Sequence, residues 1–354
     1  MSAAAYDAVV LLGFGGPEAE DEVVPFLERV TAGRGIPRER LREVGVHYFT
    51  LGGVSPINAQ NRALREALAD ALASLGVEVE LVLAHRNSAP FVADVLAELA
   101  GRGHRRALAV ATAAYSGYSS CRQYREDLGL ALAGADVDLE VRKLPPFFDL
   151  PAFSGTITAL LLAAVAGGPD LAAPTTRLVF TTHSVPTAAA RASGPHGDAY
   201  ESQHRWVAAR VVDGIAEATG ARPAWDLVFQ SRSGPPSVPW LEPDVNDAIS
   251  AYAAEGVTDV VLAPIGFLSD HMEVIWDLDT QARQTADELG VRLVRTPTVG
   301  THPAFVAALA GRIADELATG SPEPAEGQFC FGSCCANPRR ELPTVPGLAK
   351  DAPR

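Results

Sequence analysis

The chain has no long hydrophobic run and no signal-like start. Its longest apolar stretch, ITALLLAAVA at 157–166, is roughly half of the ~20 residues that a membrane span requires. The amino terminus carries no basic residue ahead of its apolar stretch, which makes it a poor secretory signal. We therefore expect a cytoplasmic protein without an integral membrane segment.

Positive charge is scarce. Lys and Arg total 29 against 43 Asp and Glu, which gives a formal net charge of -14. Nucleic-acid binding requires a basic face that neutralises phosphates, so the composition argues against a nucleic-acid partner. An anionic ligand has to find its positive charge at a local site.

Cysteine is rare and unevenly placed. The chain has four cysteines and no export signal, which argues against structural disulfides. Cys330, Cys334 and Cys335 fall within six residues, and three thiolates favour zinc or an iron–sulfur cluster. Cys121 is the only cysteine left to complete a set of four. The alternative is a group of adventitious thiols on a tail, although exposed thiols are a chemical liability.

Short β-rich runs alternate with Ala- and Leu-rich helical stretches, which is the βαβ pattern of a parallel sheet. Seven buried strands are predicted, at 8–16, 77–85, 106–116, 176–186, 224–234, 257–267 and 291–300. A stretch rich in proline and aromatics at 142–153 interrupts the pattern. We predict an α/β fold of two parallel-sheet domains flanked by helices, with a cleft between them. The domains are 1–150 and 151–315, and a tether, cysteine cluster and tail occupy 316–354.

Ligands in open α/β sheets bind beyond the carboxyl ends of the strands. His183 follows a predicted strand directly, and Pro186 then turns the chain. A histidine at that place suits proton transfer or metal binding. A structural histidine is equally consistent with the spacing.

An acidic run follows another apolar strand, in the stretch PIGFLSDHMEVIWDLD. A helix that begins at a cap of Ser269 or Asp270 would place Glu273 and Asp277 one turn apart on one face, with Gln281 continuing the row. A solvated acidic face is the common explanation of such a row, but such a face seldom starts directly after a buried strand. An imidazole and a carboxylate together suit a loosely held first-row divalent metal.

The glycine-rich stretch LLGFGGPE also follows a strand. It lacks both the GxGxxG and the GxxxxGK[ST] pattern, so neither dinucleotide nor P-loop binding is supported. The glycines let the backbone approach a flat ligand or merely turn the chain.

With these motifs the chain resembles the ferrochelatases, lyases that insert ferrous iron into a porphyrin during heme synthesis. The resemblance rests on GFGGPE, GGVSPIN, TTHSVP, YESQH, FQSRSGPPSVPWLEPD and PIGFLSDHMEVIWDLD, and it extends to about residue 312. It implies two Rossmann-like domains around a porphyrin cleft.

The resemblance also implies roles for individual residues. His183 becomes the proton acceptor and iron contact, and Glu273 becomes the carboxylate opposite it, for iron or for proton relay. Which of the two takes the protons stays open. Asp277 continues an acidic row on a distorted helix, and His271 orients that helix or the Glu273 carboxylate. Gln281 is an amide where the family has an acid.

The carboxyl-terminal CFGSCCANP resembles the tail of actinobacterial ferrochelatases that carry a [2Fe-2S] cluster. This resemblance implies a cluster on Cys121, Cys330, Cys334 and Cys335 with a structural or sensing role, because these residues are distant in sequence from the catalytic motifs. It also implies coproporphyrin III and ferrous iron as substrates, coproheme as product, and transient contact with neighbouring heme-pathway enzymes.

Five positions match substrate contacts of the family, namely Phe14, Arg34, Tyr48, Ser55 and Tyr124. Phe14 stands where a tyrosine that touches iron is common, and a phenyl ring cannot ligate iron. His47 stands where an arginine is common, which weakens the case for an anion site there.

Two further functions compete with this prediction. One is iron insertion into protoporphyrin IX, and the other is a noncatalytic tetrapyrrole carrier with the same cleft. A carrier would keep its binding after the loss of His183 or Glu273, whereas an enzyme would lose turnover.

Overall fold

The structure, a computed structural model, describes residues 6–33, 36–135, 137–319 and 334–345. Two four-stranded sheets form its frame, and every strand pairing within them is parallel. The first has the order β2-β1-β3-β4 and the second the order β6-β5-β7-β8. The strands are β1 Ala8–Gly13, β2 Glu80–His85, β3 Arg106–Ala111, β4 Glu140–Lys143, β5 Thr176–His183, β6 Trp225–Gln230, β7 Asp259–Ala263 and β8 Arg292–Arg295.

Helices connect the strands. They are α1 Val23–Val30, α2 Arg38–Val44, α3 Val46–Thr50, α4 Ile57–Ser74, α5 Val92–Gly101, α6 Gln123–Ala135, α7 Pro151–Ala164, α8 Thr187–Arg191, α9 Ala199–Thr219, α10 Val245–Ala254, α11 Met272–Val274, α12 Arg283–Glu288 and α13 Pro303–Thr319. A 3₁₀ turn spans Glu20–Glu22, and π-helical stretches span Tyr118–Arg122 and Ile275–Ala282.

The predicted α/β fold with two parallel sheets is confirmed. All seven predicted strands are present, because the central ones are continuous apolar runs buried on both faces, as parallel sheets require. The eighth strand, β4, was not predicted. It has only four residues, alternates in burial and pairs only with β3 at the sheet edge, so its sequence resembles the surrounding loop.

The hydrophobic core is continuous between the two halves. One cluster joins side chains of the first sheet, such as Val9 and Leu108, to side chains of the second, such as Leu178 and Phe180. Helix α13 contacts both α4 and α7, and Glu316 accepts a hydrogen bond from Tyr6 at 3.1 Å. The division of the chain into two domains at residue 150 therefore stays a prediction.

No helix within the described ranges is long and apolar enough to cross a membrane.

Candidate functional site

The carboxyl edge of the second sheet assembles the site. His183 ends β5 and is the register partner of Gln230 at the end of β6. The loop after β7 passes directly over this edge because Gly266 has no side chain. A Cβ at that position would lie 2.2 Å from the Thr182 Oγ1 atom and 2.8 Å from the Thr182 Cα atom.

His183 faces Glu273 with one ring nitrogen. Its Nδ1 atom lies in a short contact with the carbonyl oxygen of Ser184, and since a carbonyl only accepts, Nδ1 carries the hydrogen of the neutral ring. The Nε2 atom lies 3.6 Å from Glu273 Oε2, and the two side chains are 32% and 50% exposed. The basic lone pair of His183 therefore opens toward both the carboxylate and solvent.

The contact between His183 and Glu273 shifts the pKa of both side chains. Burial disfavours the imidazolium, but contact with the Glu273 carboxylate outweighs burial and raises the pKa of His183 above its ordinary value. Burial alone would raise the pKa of Glu273, but contact with His183 lowers that pKa to about 2. Near neutral pH, Glu273 is therefore ionised and His183 is a stronger base than a free histidine.

The helix that carries Glu273 begins later than predicted. Its cap is His271, whose Nδ1 atom accepts from the Val274 N–H at 3.4 Å, so the prediction of Ser269 or Asp270 as the cap was wrong. Asp270 is unavailable because its carboxylate accepts from Arg295 instead. This geometry agrees with an orienting role for His271, which stays a prediction.

Asp277 lies on the π-helical stretch after Glu273. Its carboxylate is in short hydrogen-bond contact with the Ser231 hydroxyl and accepts from Gln230 Nε2 at 3.3 Å. Burial raises the pKa of Asp277 to about 6, and the negative charge of Glu273 adds to the effect while the Ser231 hydrogen bond opposes it. A carboxyl group with that pKa can take up and release a proton near neutral pH.

Sequence reasoning overlooked Gln230 and Ser231. Both lie in the stretch FQSRSGPPSVPWLEPD, whose Arg232 is exposed and contacts Glu242. The available signal was position, because Gln230 and Ser231 stand at the end of a buried strand. Ser231 also has a positive φ of 60°, a conformation uncommon for a residue with a side chain.

Three contacts join the first half of the chain to the site. Gln60 on α4 bonds with its amide group to the backbone N–H and carbonyl of Asp270, at 3.0 and 3.1 Å. The Tyr115 hydroxyl donates to the Ile265 carbonyl at 2.9 Å. His47 stacks on Trp276 with ring centroids 4.3 Å apart. These contacts place the carboxyl edges of both sheets around His183 and Glu273.

The predicted substrate contacts fall into two groups. Phe14 and Tyr124 both lie against the guanidinium of Arg86, 5.7 and 5.1 Å from the ring centroids. Arg86 was not singled out from the sequence, although it directly follows β2. It is paired with Asp127 in a short ion pair, so its charge is balanced by that carboxylate.

Tyr48 is linked to Phe14 through the ring of Phe26, which lies 6.2 Å from that of Phe14, and Ser55 lies beside Gly16 of the Gly-rich loop. The Tyr48 ring packs 5.9 Å from that of Phe26, and Ser55 is only 4% exposed. A Cβ at Gly16 would lie 2.7 Å from the Ser55 Cβ atom, so the absence of a side chain at Gly16 makes room for Ser55. Arg34 lies outside the described residues. All five substrate contacts stay predictions.

The three described cysteines lie where residues 334–345 pack against the rest of the described chain. Cys121, Cys334 and Cys335 are buried, and the two tail sulfurs are 3.6 Å apart. The Lys143 ammonium lies 3.5 Å from Cys121 Sγ, and the Gly194 N–H donates to Cys335 Sγ at 3.1 Å. Cys330 lies outside the described residues, and across the rest no group of three or more His, Cys, Asp or Glu could hold a metal ion.

Residues 334–345 pack onto the segment around Cys121 and the helix that follows it. Asn337 Nδ2 donates to the Tyr118 hydroxyl at 3.0 Å and to Glu126 at 3.1 Å, and Arg125 Nε donates to the Val345 carbonyl at 2.9 Å. The tail cysteines and Cys121 are therefore brought to the same region of the surface.

This region is not remote from His183, although the sequence suggested a separation. Gly194, which bonds to Cys335, follows Ser193, whose hydroxyl accepts from the Tyr200 N–H at 2.7 Å. The Tyr200 hydroxyl in turn donates to the His183 carbonyl at 2.8 Å. The segment 193–200 thus contacts both the cysteine region and the backbone of His183.

A family model described as Ferrochelatase matches residues 6–317. The coproporphyrin III ferrochelatase of Propionibacterium freudenreichii subsp. freudenreichii is 49% identical over 355 residues, which cover 97% of this chain and 98% of that protein. The protein of the same name from Streptomyces griseus is 49% identical over 352 residues, covering 94% of each chain.

Among solved structures, SirB from Bacillus subtilis with Fe3+ has a TM-score of 0.52 at 12% identity, covering 92% of this chain and 98% of that chain. At this identity the likeness shows the fold alone. It supports the same two-sheet architecture.

Proposed function

Because the chain belongs to the ferrochelatase family, we propose that it inserts ferrous iron into coproporphyrin III and releases two protons, with coproheme as product. The observation that carries the proposal is the placement of His183 Nε2 at 3.6 Å from Glu273 Oε2. Insertion must remove two pyrrole protons while a dehydrated cation enters the ring. A base next to an ionised carboxylate supports both steps.

The first proton passes from a pyrrole nitrogen to His183 Nε2. Nδ1 already carries a hydrogen that it donates to the Ser184 carbonyl, so protonation creates an imidazolium. The ionised Glu273 carboxylate stabilises this cation, which is why it raises the pKa of His183. Before it takes the proton, neutral His183 would offer its Nε2 lone pair to the incoming iron, and Glu273 would offer a carboxylate oxygen.

The second proton leaves through the acidic side of the site. Asp277 follows Glu273 on the π-helical stretch, and burial raises the pKa of Asp277 to about 6. A carboxylate with that pKa accepts and releases protons at neutral pH more readily than an ordinary aspartate. We therefore assign Asp277 to proton relay and Glu273 to contact with iron and His183.

Coproporphyrin carries four carboxylates, which need local positive charge in a chain of net charge -14. Arg34, Tyr48, Ser55 and Tyr124 are the proposed carboxylate contacts, and Phe14 is proposed to lie against the porphyrin face. Arg86 lies beside Tyr124 but is paired with Asp127, so the positive charge is proposed to come from Arg34.

The test is anaerobic incubation with ferrous iron and either coproporphyrin III or protoporphyrin IX, followed by the Soret band. The proposal expects metallation of coproporphyrin III at the higher kcat/KM. Faster metallation of protoporphyrin IX would assign the rival substrate. Tight binding of both porphyrins without metallation would identify a carrier.

We further propose that Cys121, Cys330, Cys334 and Cys335 hold a [2Fe-2S] cluster. Two described thiols are adjacent, and thiolates are the usual ligands of such clusters. The Gly194 N–H and the Lys143 ammonium both point at cysteine sulfurs, and such donors stabilise the negative charge of ligated thiolates. A bound cluster would be held by these four cysteines and would supply an electron-accepting centre.

The cluster is tested by spectroscopy of protein purified without oxygen. We expect visible absorbance typical of a [2Fe-2S] centre and stoichiometric iron and acid-labile sulfide, all lost in Cys334→Ser. Absence of sulfide from the unaltered protein would contradict the proposal. Loss of the absorbance with no change in stability, redox response or turnover would contradict the structural or sensing role.

The cytoplasmic location and the transient contact with neighbouring heme-pathway enzymes stay predictions from the sequence. The protein partners would be tested by crosslinking during turnover.

A further inference from the structure

Arg295 lies at the carboxyl end of β8, and its side chain is only 11% exposed. Its Nε and Nη2 atoms donate to the two oxygens of Asp279 at 3.0 and 2.6 Å, as a planar fork. Its Nη1 atom donates to both oxygens of Asp270 at 3.1 Å. One buried cation therefore binds two acids that are nine positions apart in the sequence.

The segment between these two acids carries the chemistry of the site. Glu273 and Asp277 both lie within 270–279. The part of that segment from Ile275 onward is π-helical. A π-helical stretch is a rare conformation that is frequently found at functional sites. Its backbone hydrogen bonds differ from those of an α-helix. Contacts with residues outside the helix therefore help to fix its position.

The start of the segment is also fixed to the first half of the chain. The Asp270 backbone N–H donates to Gln60 Oε1, and its carbonyl accepts from Gln60 Nε2. Asp270 thus has its backbone bound by α4 and its carboxylate bound by β8. Arg295 is the element that joins this fixed point to the middle of the π-helical stretch.

We infer that Arg295 is a positioning residue that holds Glu273 in front of His183 by clamping both ends of the segment. The inference rests on the proposed function. Within the described ranges His183 is the one ion-pair partner of the Glu273 carboxylate, so the place of that carboxylate is set chiefly by its backbone. The bidentate fork requires the planar guanidinium, which lysine lacks.

A stabilising role without positioning is the competing explanation, and the same strand offers a matched control. Arg292, at the other end of β8, pairs with Asp259 and is 55% exposed. Arg292→Lys changes the same residue type on the same strand, away from the segment. A general effect of weakening an Arg–Asp pair would appear in both variants.

The experiment compares Arg295→Lys and Arg292→Lys by steady-state kinetics and by NMR titration of His183. In Arg295→Lys, kcat should fall about 10- to 100-fold, the loss expected from displacing a reacting group by about 1 Å, with little change in KM. The His183 pKa should fall toward its ordinary value as Glu273 moves away, with Asp277, His271 and the Ser184 carbonyl as its remaining neighbours. Arg292→Lys should change neither quantity.

A folded Arg295→Lys protein with unaltered kcat and unaltered His183 pKa would overturn the inference while leaving the proposed function intact. Absence of metallation by the unaltered protein would instead overturn the proposed function. The NMR titration would still test whether Arg295 positions Glu273. If Arg295→Lys does not fold, Asp279→Asn removes only the fork and should show the same shifts at smaller size. Unaltered kinetics and His183 pKa in folded Asp279→Asn would also contradict the inference.

Discussion

Each half of the molecule places an imidazole at the carboxyl edge of its sheet, His85 in the first and His183 in the second. The last residues of β1 and β2 are paired, Gly13 with His85, as are those of β5 and β6, His183 with Gln230, so His85 ends an outer strand and His183 an inner one. His85 is fully buried, bonds to the Ala89 carbonyl at 3.0 Å and lies 3.3 Å from the Asn61 amide. Burial lowers the pKa of His85, whereas the pKa of His183 is raised.

The difference lies in what faces each ring. His85 meets a carbonyl and an amide and is closed from solvent, so its ring is a structural hydrogen-bonding group. His183 meets a carboxylate and is partly exposed, so its ring can take a proton from a substrate and hold it. A strand-end histidine therefore becomes a base when a facing carboxylate and an open side are both present.

The largest effect is expected from removal of the Glu273 carboxylate, the feature that distinguishes His183 from His85. In Glu273→Gln the side chain keeps its shape but loses its charge, and kcat should fall by about 100-fold or more, as for the loss of an acid–base group. Steady-state metallation measures this. The control is Glu288→Gln at the exposed end of α12, whose carboxylate accepts from Gln284 and whose loss should leave kcat unchanged. Equal effects in both variants would contradict the special role of Glu273.

The pH dependence of kcat/KM should reveal the same pair. His183 must be neutral to accept a proton, so activity should be low at acid pH and rise as pH passes through its raised pKa. Without Glu273 that pKa falls, and the acid limb of the Glu273→Gln profile should move to lower pH. The pKa that sets this acid limb is shared by His183 and the groups coupled to it, which include Asp277. A limb that does not move would mean that His183 is not the titrating base.

A smaller effect is expected from Ser231→Ala. The Ser231 hydrogen bond opposes the raised pKa of Asp277, so its loss should raise that pKa further and keep Asp277 protonated to higher pH. Activity should fall by up to about tenfold near pH 6, as expected for a shift of about one pKa unit, and recover near pH 8. Ser231→Asn tolerates the positive φ of this position, keeps a hydrogen-bond donor, and should restore part of the profile. An equal loss at both pH values would contradict proton relay through Asp277.

The smallest effect on turnover is expected from His85→Leu in the other half. Its loss leaves the Ala89 carbonyl and the Asn61 amide without their partner, which should lower the free energy of unfolding by about 1–3 kcal/mol. Denaturant unfolding measures the loss, and kcat of the folded protein should be unaffected. A large fall in kcat at unaltered stability would show that His85 takes part in the reaction.

Much of this arrangement could be predicted from the sequence. Buried parallel strands are continuous apolar runs, so seven strands and the edges where they end were readable, and His183 and Glu273 follow two of those ends. The remainder depends on partners distant in sequence. β4 is short and lies at an edge, His271 replaces Asp270 as helix cap because Arg295 binds Asp270, and nothing local to β8 indicates that clamp.

The most direct test of the account is anaerobic metallation of coproporphyrin III by the unaltered protein, by His183→Ala and by His85→Ala in parallel. The account predicts metallation by the unaltered protein and by folded His85→Ala, and loss of it in His183→Ala with porphyrin binding retained. Metallation by His183→Ala at the rate of the unaltered protein would contradict the assignment of His183 as the base.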